Sequence, residues 1–168
     1  STVAFWPDLE KSFTSYQLIN TGISGSCLDD LINEKENRIF KYNPSYFVFY
    51  YGDNDMYKYD ANTYIKKFKR LMKELKIRRP NTIVLLISIK PSPLRKEKFN
   101  QYTLINKYMD KFHEINPSCY YIDIWTTMSN NTTYFKDDEL HLSNKGYTFI
   151  NQLIYNKIKV LESLKSTN

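Results

Sequence analysis

Several short apolar runs with no polar alternation limit what this chain can fold into. Thr82-Ile-Val-Leu-Leu-Ile-Ser88 is the cleanest of them. A strand with one wet face alternates apolar and polar residues, whereas a strand covered on both faces reads as continuously apolar. Ser45-Tyr-Phe-Val-Phe-Tyr-Tyr51 and Cys119-Tyr-Tyr-Ile-Asp-Ile124 have the same character, and Gln17-Leu-Ile-Asn20 is a shorter candidate. All are strand length, far below the roughly 20 apolar residues of a bilayer-spanning helix, so no integral membrane segment is expected.

Helical patterns separate these runs. Residues 60–79 carry Tyr64, Ile65, Phe68, Leu71, Met72 and Leu75 on one stripe, with Lys and Arg opposite. Asp60 is placed to cap the start, and Pro80 follows the end. Residues 27–40, 98–114 and 143–164 read as further helices. Strand and helix in series predict an α/β protein, with helices on both faces of a parallel sheet. The 168 residues suit one domain spanning 1–168, and the 42% hydrophobic content is enough for a core. No repeat or low-complexity linker divides the chain.

Charge and cysteine content exclude more than they suggest. The net charge of +6 comes from 24 Lys and Arg against 18 Asp and Glu. Lys66, Lys67, Lys69, Arg70, Lys73, Arg78 and Arg79 lie along the helix at 60–79. They lack interleaved exposed aromatics and match no nucleic-acid motif, so a solvated helix face is expected and no nucleic-acid partner. Cys27 and Cys119 are far apart, without metal-type spacing.

In open parallel sheets, function collects at the carboxyl ends of the strands. The loops to inspect are therefore 20–26, 52–55, 90–95 and 125–141. The last contains Asp138-Glu-Leu-His141 and one of only two histidines. On a tight turn the Asp138 carboxylate can reach His141 Nδ1, leaving the other ring nitrogen free to take a proton from a hydroxyl. The same pattern also suits a plain turn with a capping aspartate. Gly52-Asp-Asn-Asp55 is either a simple turn or a loop that offers the Asn54 amide to an oxyanion. Gly25, in Gly22-Ile-Ser-Gly25, offers a backbone N–H at a strand-to-helix turn. Tyr50, Tyr51, Tyr57 and Trp125 near the strand ends suit either a pocket lining or the core.

In their order along the chain these motifs resemble the SGNH, or GDSL-type, hydrolase superfamily. Asn20-Thr-Gly-Ile-Ser-Gly-Ser26 is similar to its second block, Gly52-Asp-Asn-Asp55 to its third and Asp138-Glu-Leu-His141 to its fifth. Phe5-Trp-Pro-Asp-Leu9, Ile87-Ser-Ile-Lys-Pro-Ser-Pro93 and His141-Leu-Ser-Asn-Lys-Gly-Tyr147 resemble a lysophospholipase-like or esterase-like bacterial branch. The resemblance implies a flavodoxin-like three-layer α/β/α sandwich and a serine hydrolase acting on carboxylic esters. Acyl esters, lysophospholipids and acetylated carbohydrates are its substrate classes, and no metal or organic cofactor is implied. Asp138 and His141 would be catalytic, Gly25 and Asn54 would form the oxyanion hole, and Ser24, Ser26, Asp53 and Pro91 would line the substrate site. Glu139 stands where this branch often has Gly.

In the branch, a tryptophan follows the nucleophilic serine by about five positions. Counting back from Trp6 gives Ser1, which would be the nucleophile and would add its N–H to the oxyanion hole. The resemblance then assigns a central first strand to residues ahead of Ser1, so that strand is absent from the chain given. The rival expectation is a catalytically inactive or truncated domain of the same fold acting as a binding module.

Overall fold

The computed structural model describes residues 2–166. Three of the expected strands form a parallel sheet in the order β1 (Tyr46–Phe49), β2 (Ile83–Ile87) and β3 (Cys119–Ile122). Tyr46 sits opposite Ile83, and Val84 opposite Cys119. Along each strand the side chains alternate between two apolar layers, as a two-residue pleat requires. Phe49, Val84, Leu86 and Cys119 face one layer, while Ile83, Leu85, Ile87 and Ile122 face the other. Both faces are buried, which is why the sequence runs are continuously apolar.

The helices are α1 (Leu9–Ser12), α2 (Leu28–Asn33), α3 (Ala61–Arg78), α4 (Phe99–Glu114), α5 (Trp125–Met128) and α6 (Asn144–Ser166). The inward stripes of α3 and α4 cover the first face through Tyr64, Phe68, Leu71, Tyr102, Ile105 and Met109. Tyr147, Ile150, Ile154 and Ile158 of α6 cover the second, together with Trp6 and Phe13. The result is the expected three-layer α/β/α arrangement. Asp60 caps α3 by accepting the Thr63 N–H at 2.7 Å, and cap bonds of this kind are worth about 1 kcal/mol. No helix among the described residues is long and apolar enough to cross a membrane.

Two expectations need correction. The helix expected at 27–40 is broken: α2 ends at Asn33, and a π-helical turn spans Glu36–Phe40. The wide turn carries Arg38, Ile39 and Phe40 into the interior, where the Arg38 guanidinium finds the Thr21 carbonyl and the Tyr51 hydroxyl. Gln17-Leu-Ile-Asn20 is extended but not a strand, because no described chain lies beside it to complete a ladder. A cleft of about 620 Å³ separates this segment from β1, lined by Leu18, Val48, Ile154 and Ile158 among others.

Candidate active site

Each loop expected to carry chemistry follows a strand or the extended 17–20 segment, and hydrogen bonds join them at one end of the sheet. The 52–55 loop is shaped by Gly52, whose φ is +117° and whose Cβ, if present, would meet Ile89 Cδ1 at 2.4 Å. Only glycine fits there. Asp55, fully buried, accepts the N–H groups of Leu28 at 2.7 Å and Gly52 at 3.0 Å, and the Tyr59 hydroxyl. Its carboxylate thus ties the start of α2 to the loop. Burial pushes the Asp55 pKa up, against these donors.

Asn54 is half-buried at the head of this loop. Its Nδ2 donates to the Ser26 carbonyl at 3.1 Å, and its Oδ1 accepts from Arg95 Nη2 at 3.0 Å. An amide nitrogen carries two hydrogens, so one is left for an incoming oxygen. Asn54 and Ser26 line a recess of about 60 Å³ together with Thr2, Val3, Gly22 and Ile23. Gly25 lies on the adjoining turn at φ +74°, and its N–H has no hydrogen bond among the described residues. Ser26 is half-buried, whereas Ser24 is exposed.

Asp53 and Pro91, expected at the substrate site, are both buried, and Asp53 lines the recess beside Asn54. The Asp53 carboxylate turns inward and pairs with Lys90 Nζ and, at 2.6 Å, with Arg95 Nη1. The Tyr102 hydroxyl donates to the Asp53 carbonyl at 2.9 Å. Burial alone would raise the Asp53 pKa, but the two cations outweigh it and hold the carboxyl below its ordinary value. Pro91 is itself buried, and within its loop Leu94 is exposed.

Asp138 and His141 come together on an exposed turn. Asp138 Oδ2 meets His141 Nδ1 at 2.7 Å, while Oδ1 accepts the N–H groups of Leu140 at 2.9 Å and His141 at 2.8 Å. One carboxylate therefore serves both readings of the motif, capping the turn and orienting the ring. The backbone N–H and ring of His141, with the Leu140 N–H, hold the Asp138 carboxyl well below the usual carboxylate range. Glu139 has φ +56°, the left-handed conformation that glycine adopts most easily.

The 90–95 loop joins this turn to Asn54. Ser92 Oγ donates to the Leu140 carbonyl at 3.3 Å, and the Leu94 N–H to the Glu139 carbonyl at 3.2 Å. On the other side of the recess, the Tyr147 hydroxyl of α6 donates to the Thr2 carbonyl at 3.0 Å, and Asn20 Nδ2 to the Val3 carbonyl at 2.9 Å. Ser1, the expected nucleophile, lies outside the described residues. Of the aromatics near the strand ends, Tyr50 is buried, Tyr51 anchors Arg38, Tyr57 is exposed and Trp125 packs on Phe99.

Sequence reasoning missed Arg38, gave Lys90 and Arg95 only as part of a loop, and gave Tyr147 only as part of a helix and a motif stretch. Lys90 had a visible signal, a cation directly continuing a continuously apolar run. The others contact the site only through distant elements.

Comparison with known proteins completes the description. The profile of the GDSL-like lipase/acylhydrolase family matches residues 4–154. A GDSL-like lipase from Bacteroides thetaiotaomicron superposes with a TM-score of 0.80 at 20% identity, covering 95% of this chain and 84% of that one. A carbohydrate esterase of family 3 from Talaromyces cellulolyticus gives 0.75 at 17% identity, with coverages of 92% and 89%. An acetyl-xylooligosaccharide esterase from Geobacillus stearmophilus gives 0.73 at 16% identity, with coverages of 89% and 76%. No curated protein sequence matches the chain.

Proposed function

The chain belongs to the GDSL-like lipase/acylhydrolase family of ester hydrolases, and from that premise we propose that it cleaves small carboxylic esters through an acyl-serine formed on Ser1. The observation that carries the reading is the Asp138–His141 pair, linked through the 90–95 loop to the Asn54 amide. With Nδ1–H donated to Asp138, the His141 Nε2 lone pair is free to act as the base.

In the first half-reaction Ser1 Oγ bonds to the ester carbonyl carbon and passes its proton to His141. The carbonyl oxygen becomes an oxyanion, held by Asn54 Nδ2–H and the N–H groups of Gly25 and Ser1. The tetrahedral species collapses, the bond to the alcohol oxygen breaks, and His141 returns the proton to that oxygen. In the second half-reaction His141 takes a proton from water, whose oxygen attacks the acyl carbon. Ser1 Oγ leaves, recovers the proton, and the acid departs.

Acyl esters, lysophospholipids and acetylated carbohydrates are the substrate classes that fit this reading.

The test is covalent labelling of the complete protein with a fluorophosphonate, alongside hydrolysis of p-nitrophenyl acetate. Labelling and turnover are expected, and both vanish in Ser1→Ala. Asn54→Ala is expected to keep the label while kcat falls about 10²- to 10³-fold. A complete, folded protein that neither labels nor turns over would instead support a non-catalytic binding module.

A further inference from the structure

We infer that Arg95 is a positioning residue for ester hydrolysis: its guanidinium fixes the Asn54 amide with the Nδ2–H side toward the oxyanion and strengthens that donor. The inference rests on the acyl-serine reading above, and it concerns a residue that touches neither substrate nor nucleophile.

Four observations support it. The Asn54 side chain can flip, and only one of its two orientations presents a donor. Arg95 Nη2 lies 3.0 Å from Asn54 Oδ1, and a guanidinium only donates. The side of the amide facing Arg95 must therefore be the oxygen, which aims Nδ2 toward the Ser26 carbonyl and the recess. Arg95 is itself locked: Nη1 bonds both the Asp53 carbonyl at 2.8 Å and the Asp53 carboxylate at 2.6 Å, and the guanidinium lies over the Tyr57 ring. Finally, the Asp53 carboxylate is shared. Lys90 and Arg95 both face the single carboxylate of Asp53, so the guanidinium shares its counter-charge. A cation bonded to Oδ1 draws electron density through the amide and sharpens Nδ2–H as a donor.

The same arrangement makes the test feasible. Without Arg95, Asp53 still has Lys90, so Arg95→Met leaves a balanced buried pair rather than a stranded charge. The complete protein, its Arg95→Met and Asn54→Ala variants and the double variant are assayed with p-nitrophenyl acetate, and folding is checked by urea unfolding. Arg95→Lys, which retains the charge but not the fork, replaces Arg95→Met should the latter not fold. A hydrogen bond to a charged group implies a loss of about 10- to 100-fold. That loss is expected in kcat, with KM changed less than about 2-fold, because a transition-state contact lowers kcat and leaves ground-state binding alone. In the Asn54→Ala background the same substitution is expected to change kcat by less than about 2-fold, since the residue through which Arg95 acts is gone. Equal losses in both backgrounds, or a rise in KM with kcat unchanged, would overturn the assignment while leaving the hydrolase reading intact. Full turnover in Asn54→Ala would overturn both the Arg95 assignment and the oxyanion role of Asn54, again leaving the hydrolase reading intact.

Discussion

The two halves of the site are built in opposite ways. The Asn54 half is braced from several directions: Lys90, Arg95 and Tyr102 come from distant parts of the chain, and the neighbouring Asp55 ties the loop to the start of α2. The Asp138–His141 half is a surface turn in which a single carboxylate makes every key contact, and both side chains are more than a third exposed. A donor aimed at a transient oxyanion has to be rigid before the reaction begins. A base that carries a proton back and forth has to stay near solvent and the leaving group. The contrast teaches that one half should fail through stability and the other through chemistry.

Asp138→Asn gives the largest expected effect. The amide can still cap the turn but offers the wrong partner to Nδ1, so kcat should fall on the order of 10⁴-fold. The urea midpoint should barely move, and a large stability loss would erase the distinction between the halves. Asp53→Ala should do the reverse. It strands Lys90 and Arg95 without a counter-charge, which costs about 3–5 kcal/mol in comparable buried pairs; equilibrium urea unfolding measures it.

Acid sharpens the same point. The folded Asp53 carboxyl lies below its ordinary value, whereas in the unfolded chain it titrates near about 3.9. Its stabilisation is therefore complete above that unfolded value and is lost as pH falls through the lower folded one. The gap in urea midpoint between the wild type and Asp53→Ala should be constant from neutral pH to about 5 and should narrow only below about 4.

Smaller effects probe the edges of the comparison. Tyr147→Phe removes the hydroxyl bonded to the Thr2 carbonyl and should cost about 1 kcal/mol in urea unfolding. Because Thr2 adjoins Ser1, a fall in kcat should accompany it. Glu139→Gly relieves a left-handed residue, a gain of about 1–2 kcal/mol largely offset by roughly 0.5–1 kcal/mol of backbone entropy. The net change in midpoint should be slightly stabilising.

What could be read from the sequence follows the same division. The Asp138–His141 contact spans three positions on one turn, so the spacing made it readable beside the plain capped turn. The α3 stripe and its Asp60 cap were readable for the same reason, since helical periodicity and capping are local. Gln17-Leu-Ile-Asn20 misled because β structure requires a partner that composition does not supply. Asp53 was unreadable for another reason. An acidic residue in a loop carries no sign of its burial, yet two cations 37 and 42 positions away hold it inside.

The sequence by itself determined the layered α/β architecture, the parallel strands and the dyad turn, because each follows from a short-range pattern: continuous apolar runs, helical stripes and a three-residue spacing. Only the tertiary structure decided that Asp53 is an interior anchor, that Lys90 is its partner and that the Asn54 amide is bonded to Arg95. These contacts pair charges that lie far apart in the chain, and a charge can stay buried only where folding delivers its counter-charge.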